Sequence, residues 1–470
     1  MPNPDAHRMP NASSGLPRRA FVAMLAAAGL VRLPRFPEAS WLAGRPVPSP
    51  SQLEWQRDEL AMFLHFGVNT FTNREWGEGK EDPAVFAPTN LDAGQWARVA
   101  KAAGFRTMIL TAKHHDGFCL WPTATTTHSV ASSPFRGGKG DVVREFTDAC
   151  KAAGLKAGLY LSPWDRNHPA YGDSPRYNDV YCAQLTELLT HYGPIHEVWF
   201  DGANGEGPNG KRQVYDWPRV WALVRKLQPK AVMFSDAGPD VRWIGNESGT
   251  AGEMNWSMVN PGVVSVPGVS GNAVMQQLQH GDPSGTVWRP GETDVSIRPG
   301  WFHHAAEDAR VRTVENLVGL YFTSVGRNSK LLLNVPPTRD GWLHHTDAER
   351  LAGMHERLQA MFAHDLTKGK KRVWQRTGAR SATTTIDLFL GNEGISVIDL
   401  GEDISKGQLV TRYAVEGLAH DGWVTLSKGT TIGYRKLDRI SPAHTSLIRV
   451  TIEDALDTPQ PLRIALYPGS

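Results

Sequence analysis

The 470-residue chain has only three cysteines, Cys119, Cys150 and Cys182; they cannot all pair, and their spacing matches no zinc motif. Buried free thiols are the expected state. A basic excess is also missing: 50 Lys and Arg against 48 Asp and Glu leave a formal charge of +2, which gives no electrostatic footprint for nucleic acid. No stretch approaches the ~20 apolar residues of a membrane-spanning helix. Nor does a glycine-rich dinucleotide or phosphate loop follow any candidate strand. What remains, 40% hydrophobic and 21% charged residues, is the composition of a soluble globular protein long enough to bury its core without disulfides or metals.

One residue type is over-supplied. Trp (16) equals Phe (16), and twelve of the tryptophans fall between Trp55 and Trp301. Indoles offer flat apolar faces with a polar edge, suited to stacking on sugar rings as well as to cores.

At the N-terminus, Arg18-Arg19 precede the apolar run Ala20 to Val31. Residues 1–40 read as a processing segment that resembles a twin-arginine export signal, which carries folded proteins across a bacterial inner membrane. The expected location is periplasmic or secreted, with no membrane attachment once the signal is removed.

From about Leu53, short apolar runs ending in polar clusters alternate with helical patterns, the layout of βα units around a parallel sheet. Ala102-Ala103-Gly104-Phe105-Arg106 and Ala152-Ala153-Gly154-Leu155-Lys156 form a repeat fifty residues apart, each closing an amphipathic helix with a glycine cap before a strand. Strands read at Thr107–Leu110, Ala157–Leu161, Glu197–Phe200 and Ala231–Phe234 each end in polar or titratable residues. A rim of that kind is where a (β/α)₈ barrel builds its site. A (β/α)₈-like barrel over residues 45–366 is therefore expected. After the basic hinge Lys368 to Arg372, short β-rich runs predict a C-terminal β-sandwich over 370–470.

Four clusters supply candidate chemistry: His65 in Phe63–Gly67, His114-His115-Asp116, Asp201 after Val198-Trp199-Phe200, and Arg242 to Glu247. Asp201 ends a buried run against aromatic residues, where an unpaired carboxylate is costly. Two mechanisms fit. One is metal-assisted hydrolysis with His65, His114, His115 and Asp201 as ligands. The other is glycoside hydrolysis by two carboxyl groups, with histidines bonding sugar hydroxyls. The absence of a His-x-His pair after the first strand disfavours the metal reading, and the tryptophan excess favours sugar.

The runs Met62–Phe71, Glu75-Trp76-Gly77, Thr111–Phe118, Trp199–Gly202 and Leu331–Val335 resemble the α-L-fucosidases of glycoside hydrolase family 29. That resemblance implies a catalytic barrel with a C-terminal sandwich, no cofactor or metal, and a retaining mechanism through a covalent fucosyl-enzyme on Asp201. It assigns the acid/base to Glu247 in Gly245-Asn246-Glu247, with Glu253 and Glu292 as weaker candidates. His65, Glu75, Trp76, His114 and His115 match hydroxyl-binding positions, Tyr160 and Arg242 are further pocket candidates, and Trp301 is a wall residue. Gly245–Glu247, Arg289–Glu292 and Ser296–Trp301 resemble the subgroup acting on α-1,3/1,4-linked fucose, so the expected partner is a fucosylated oligosaccharide. A non-catalytic fucose-binding protein is the remaining alternative.

Overall fold

The computed structural model describes residues 44–388 and 394–468; the export signal read at 1–40 lies outside them. After α1 (Pro50–Arg57), the first part of the chain alternates strands and helices: β1 (Leu60–Leu64), α2 (Val68–Thr72), α3 (Ala93–Ala102), β2 (Thr107–Lys113), α4 (Val142–Ala153), β3 (Lys156–Leu161), α5 (Ser174–His191), β4 (Glu197–Trp199), α6 (Trp217–Leu227) and β5 (Val232–Phe234). The repeated glycine signal works as expected. Asp92 and Asp141 cap α3 and α4 through their side chains, and Gly104 (φ +85°) and Gly154 (φ +70°) turn the chain out of them in the left-handed region.

Beyond β5 the pattern changes. Residues 235–241 lead directly into β6 (Arg242–Trp243) with no intervening helix. A long insertion follows, containing the hairpin strands β7 (Met258–Val259) and β8 (Val287–Trp288) and helix α7 (Asn272–His280). Then come β9 (Gly291–Ser296), α8 (Val314–Thr323), β10 (Ser329–Asn334) and α9 (His345–Met361). The eight-stranded parallel sheet runs β5-β4-β3-β2-β1-β10-β9-β6, and a single parallel bridge, Phe234 to Val241, joins its two ends into a TIM-like barrel.

Side chains alternate between the barrel interior and the helix layer. Met62, Leu64, Met108 and Leu110 pack against helices, whereas Ala61, Phe63, Ile109, Tyr160, Trp199, Phe234 and Leu332 fill the interior. By the same alternation Glu197, Trp199 and Asp201 lie on one inward row. Register places Lys330, Leu332 and Asn334 beside Glu292, Asp294 and Ser296.

The C-terminal part is antiparallel. β11 (Gln375–Arg376), β12 (Ala382–Asp387), β13 (Ile395–Gly401), β14 (Val410–Ala419), β15 (Gly422–Gly429), β16 (Lys436–Ala443), β17 (Leu447–Ala455) and β18 (Arg463–Pro468) form two sheets, ordered β11-β12-β17-β14-β15 and β16-β13-β18. Their shared core includes Ile386, Ile398, Val415, Ile448 and Leu466. Arg435 ties this unit to the barrel by pairing with Glu59 at the start of β1 and with Asp399 of β13. Cys119, Cys150 and Cys182 are buried free thiols, and no helix among the described residues is long and apolar enough to cross a membrane.

Candidate active site

The C-terminal rim of the barrel opens onto a cavity of about 190 Å³, lined by Phe63, His65, Glu75, Trp76, His114, His115, Tyr160, Trp199, Asp201, Ala203, Glu247, Asp294 and Trp301. Its aromatic lining with a few convergent polar groups suits a small-molecule site. Nine of the ten expected site residues therefore meet in one place.

Asp201 follows β4 by two residues. Its Oδ1 accepts the Ala203 N–H at 2.7 Å and its Oδ2 the Tyr160 hydroxyl at 3.1 Å. Burial and the neighbouring Asp201 charge push the Tyr160 phenol well above its ordinary range, so it remains a donor. Glu247 lines the same cavity from the loop after β6. Burial raises its pKa, opposed by the Trp301 indole donating to Oε2 at 3.3 Å and assisted by the charges of Asp201 and Glu75. The cavity thus holds one carboxyl group braced by two donors and another biased toward its protonated form.

Three histidines line the cavity beside these groups, and each is held neutral by burial. For His65 burial lowers the pKa to about 3. Asn334 fixes its tautomer. The amide Nδ2 donates to Ser296 Oγ and the Trp301 carbonyl, which leaves Oδ1 to accept His65 Nδ1–H at 2.8 Å and turns Nε2 into an acceptor. Ser162 does the same for His115: its hydroxyl donates to the Trp164 carbonyl, so its oxygen accepts His115 Nδ1–H at 2.7 Å. His115 Nε2 then stands 3.8 Å from Asp201 Oδ2, too far for a hydrogen bond. His114 packs beside Tyr160, and its Nδ1 has no hydrogen-bond partner.

Glu75 has a second task. Its Oε1 accepts from Phe302 N–H and His304 Nε2 and its Oε2 from Trp301 N–H, so it pins the loop that carries Trp301. The Trp301 ring lies 5.1 Å from His65. Trp76, 55% exposed, stands at the mouth with its ring 5.6 Å from Trp164.

Three expectations are corrected. Arg242 is buried outside the cavity, donating to the carbonyls of Leu278 and Arg289 and to Asn255 Oδ1. It occupies the outward position of β6, and the next residue, Trp243, faces in. Glu253 is exposed and paired with Arg327. Glu292 is wholly buried one layer below the cavity, where Trp199 Nε1 donates to its Oε1 at 2.9 Å. Lys113, at the edge of a rim cluster, is likewise engaged elsewhere, by Asp165, Tyr177 and Gln184.

Sequence reading missed Asp294, Asn334 and Ser162. The loop 261–271 also gains a place: Gly268 N–H donates to Asp236 Oδ2 at 2.8 Å beside Gly202. A Cβ on Gly268, whose φ is +84°, would meet the Gly202 carbonyl at 2.7 Å, so the close approach requires glycine. Every cavity residue lies between Phe63 and Trp301, and the C-terminal sheets contribute none. His65, His114, His115 and Asp201 share the cavity, yet no three His, Cys, Asp or Glu side chains among the described residues are grouped to hold a metal ion.

Residues 45–361 match the family model described as alpha-L-fucosidase. The chain is similar to alpha-L-fucosidase 1 of Arabidopsis thaliana, 41% identical over 90% of this chain and 87% of that protein. It is also similar to the crystal structure of a glycoside hydrolase 29 family member from a rumen bacterium (41% identity, TM-score 0.83, 91% and 78% of the two chains). A Ruminococcus gnavus GH29 fucosidase in complex with fucose is a further match (31% identity, TM-score 0.81, 92% and 97%).

Proposed function

The chain belongs to the α-L-fucosidase family of glycoside hydrolases, and from that premise we propose that it releases terminal α-L-fucose from fucosylated oligosaccharides with retention of configuration. Asp201 is the nucleophile and Glu247 the acid/base.

In the first step a carboxylate oxygen of Asp201 attacks the anomeric carbon while Glu247 gives its proton to the departing glycosidic oxygen. The C1–O bond breaks and a fucosyl-Asp201 ester forms. In the second, Glu247, now ionised, takes a proton from water. That water displaces Asp201 from C1 and restores both groups. Two inversions give net retention.

The walls fit fucose, a 6-deoxy sugar with both hydroxyls and a methyl. His65 Nε2 and His115 Nε2 are acceptors for hydroxyl protons, and Phe63, Trp199 and Trp301 offer apolar faces. Resemblance of Gly245–Glu247 and Ser296–Trp301 to the branched-linkage subgroup supports an α-1,3/1,4 preference. The Arg18-Arg19 segment supports export to the periplasm or medium, which cell fractionation tests.

The observation that carries the proposal is the pairing, in one cavity, of a donor-braced Asp201 with a Glu247 held toward its protonated form. Following hydrolysis of α-1,2-, α-1,3-, α-1,4- and α-1,6-linked fucosides by NMR tests it. The first-formed product is expected to be α-L-fucose, fastest from the α-1,3 and α-1,4 substrates and insensitive to chelators. A β-anomer first product refutes retention. Fucose binding without turnover identifies a binding protein instead.

A further inference from the structure

Four carboxyl groups line the cavity. Glu75 pins the Trp301 loop, and Asp201 and Glu247 take the chemical steps. Asp294 has no role so far.

Its position is set by the barrel. Asp294 occupies the inward row of β9, level with Leu332 of β10, and is 4% exposed. Trp243 Nε1, from β6, donates to its Oδ1 at 2.8 Å. Among the described residues no Lys, Arg or His pairs with it. The ionisable groups lining that cavity are Glu247 from the loop after β6, Asp201 after β4 and Glu75 from the loop after α2, all acidic; the three histidines and the Tyr160 phenol are neutral. A carboxylate there would be desolvated beside like charges with no cation to offset it. Burial, then the Glu247 charge, push the Asp294 pKa up to about 8. With Oδ1 occupied by the indole, the remaining oxygen carries the proton, and the cavity is where that O–H can find an acceptor.

We propose that Asp294 presents a neutral carboxyl group to the bound glycoside and donates its O–H to a ligand oxygen at the reacting end of the sugar, on the Trp243 side of the Asp201–Glu247 pair. The assignment rests on the fucosidase reading above. A neutral donor orients the oxygens around the anomeric carbon without adding a third negative charge beside the nucleophile. Its usefulness ends when it ionises, so it adds a second alkaline loss of activity to that of Glu247.

The test compares Asp294→Asn with Asp294→Ala on an aryl α-L-fucoside across pH 5–9.5. Asparagine keeps the acceptor for Trp243 and offers an N–H in place of the O–H, whereas alanine removes both. At pH 6, kcat/KM is expected to stay within ~5-fold of wild type for Asp294→Asn and to fall ~10- to 100-fold for Asp294→Ala. Above pH 8, wild-type kcat/KM should fall more steeply than that of Asp294→Asn, which keeps only the Glu247 limb. An Asp294→Ala enzyme as active as wild type overturns the proposal. So does an Asp294→Asn enzyme with the wild-type alkaline slope, and this second result decides the matter if the alanine variant does not fold. A wild-type protein that releases no fucose refutes the fucosidase reading instead; calorimetric fucose titration of wild type and Asp294→Asn then tests the donor separately, with equal affinity at pH 6 and weaker wild-type binding at pH 9 expected, and identical pH dependence counting against it.

Discussion

The barrel interior contains two acidic clusters one layer apart, built from the same residue types. In the upper one Asp201, Glu247 and Asp294 face an open cavity, and no Lys or Arg among the described residues pairs with any of them. In the lower one Glu197 and Glu292 are sealed in, and Lys330 pairs with Glu197 at 3.3 Å beneath Trp199. There Glu197 Oε2 accepts from the Trp55 indole and from Lys330, and Glu292 Oε1 accepts from the Trp199 indole. The two leftover oxygens, Glu197 Oε1 and Glu292 Oε2, have no other partner. One proton between them completes the set, and burial together with the Glu197 charge holds it on Glu292. A carboxyl cluster that is internally complete is architecture. One left incomplete at the mouth of a barrel has its missing partners in the ligand.

Four experiments probe that contrast. The largest effect belongs to Asp201→Ala, which should lower kcat on an aryl fucoside by ~10³-fold or more with little change in thermal midpoint. Loss of stability in place of turnover would move Asp201 into the architectural class. Glu247→Ala should lower turnover of a fucosylated oligosaccharide ~10²- to 10⁴-fold. Azide should restore much of the rate on an activated aryl fucoside, and rescue of a Glu253 variant instead would relocate the acid. In wild type, ionisation of the raised Glu247 should make kcat/KM fall as pH rises, and that limb should vanish in the variant.

Below the cavity the outcome reverses. Lys330→Met leaves Glu197 buried without its cation and should cost ~3–5 kcal/mol of unfolding free energy in urea, with the folded fraction keeping its pH–rate profile. Glu292→Gln is the mildest change, since the amide can still donate to Glu197 and accept from Trp199. Glu292 has a raised pKa in the folded state, so the fold binds a proton that the unfolded chain releases above about pH 4.3. Wild-type stability should therefore decline with rising pH, by at most ~1.4 kcal/mol per unit from this group. Glutamine should remove that component, and an unchanged slope would show that Glu292 is ionised in the fold.

Much of this was legible where apolar runs end in polar groups. Val198-Trp199-Phe200 points to a buried strand and hence to Asp201 at the rim, and the paired glycine caps mark two βα units. β9 was harder to see. Its sequence, Gly-Glu-Thr-Asp-Val-Ser, shows no apolar alternation because its inward row is Glu292, Asp294 and Ser296, so neither the strand nor Asp294 was visible. Arg242 misled for a related reason: a two-residue strand is too short to fix which residue faces in. Asn334 lies within a legible strand, but its control of the His65 tautomer requires β1 and β10 to be neighbours, a tertiary fact that no local pattern carries.

The seam between β5 and β6, closed by one bridge and lacking a helix, divides the site along the chain. His65, Glu75, His114, His115, Tyr160 and Asp201 precede it; Glu247, Asp294 and Trp301 follow. The two stretches nonetheless meet in the cavity, where the Trp301 ring stands 5.1 Å from His65. A graft of residues 242–301 between relatives would therefore move Glu247, Asp294 and Trp301 as one contiguous stretch while leaving His65, Glu75, His114, His115, Tyr160 and Asp201 in place.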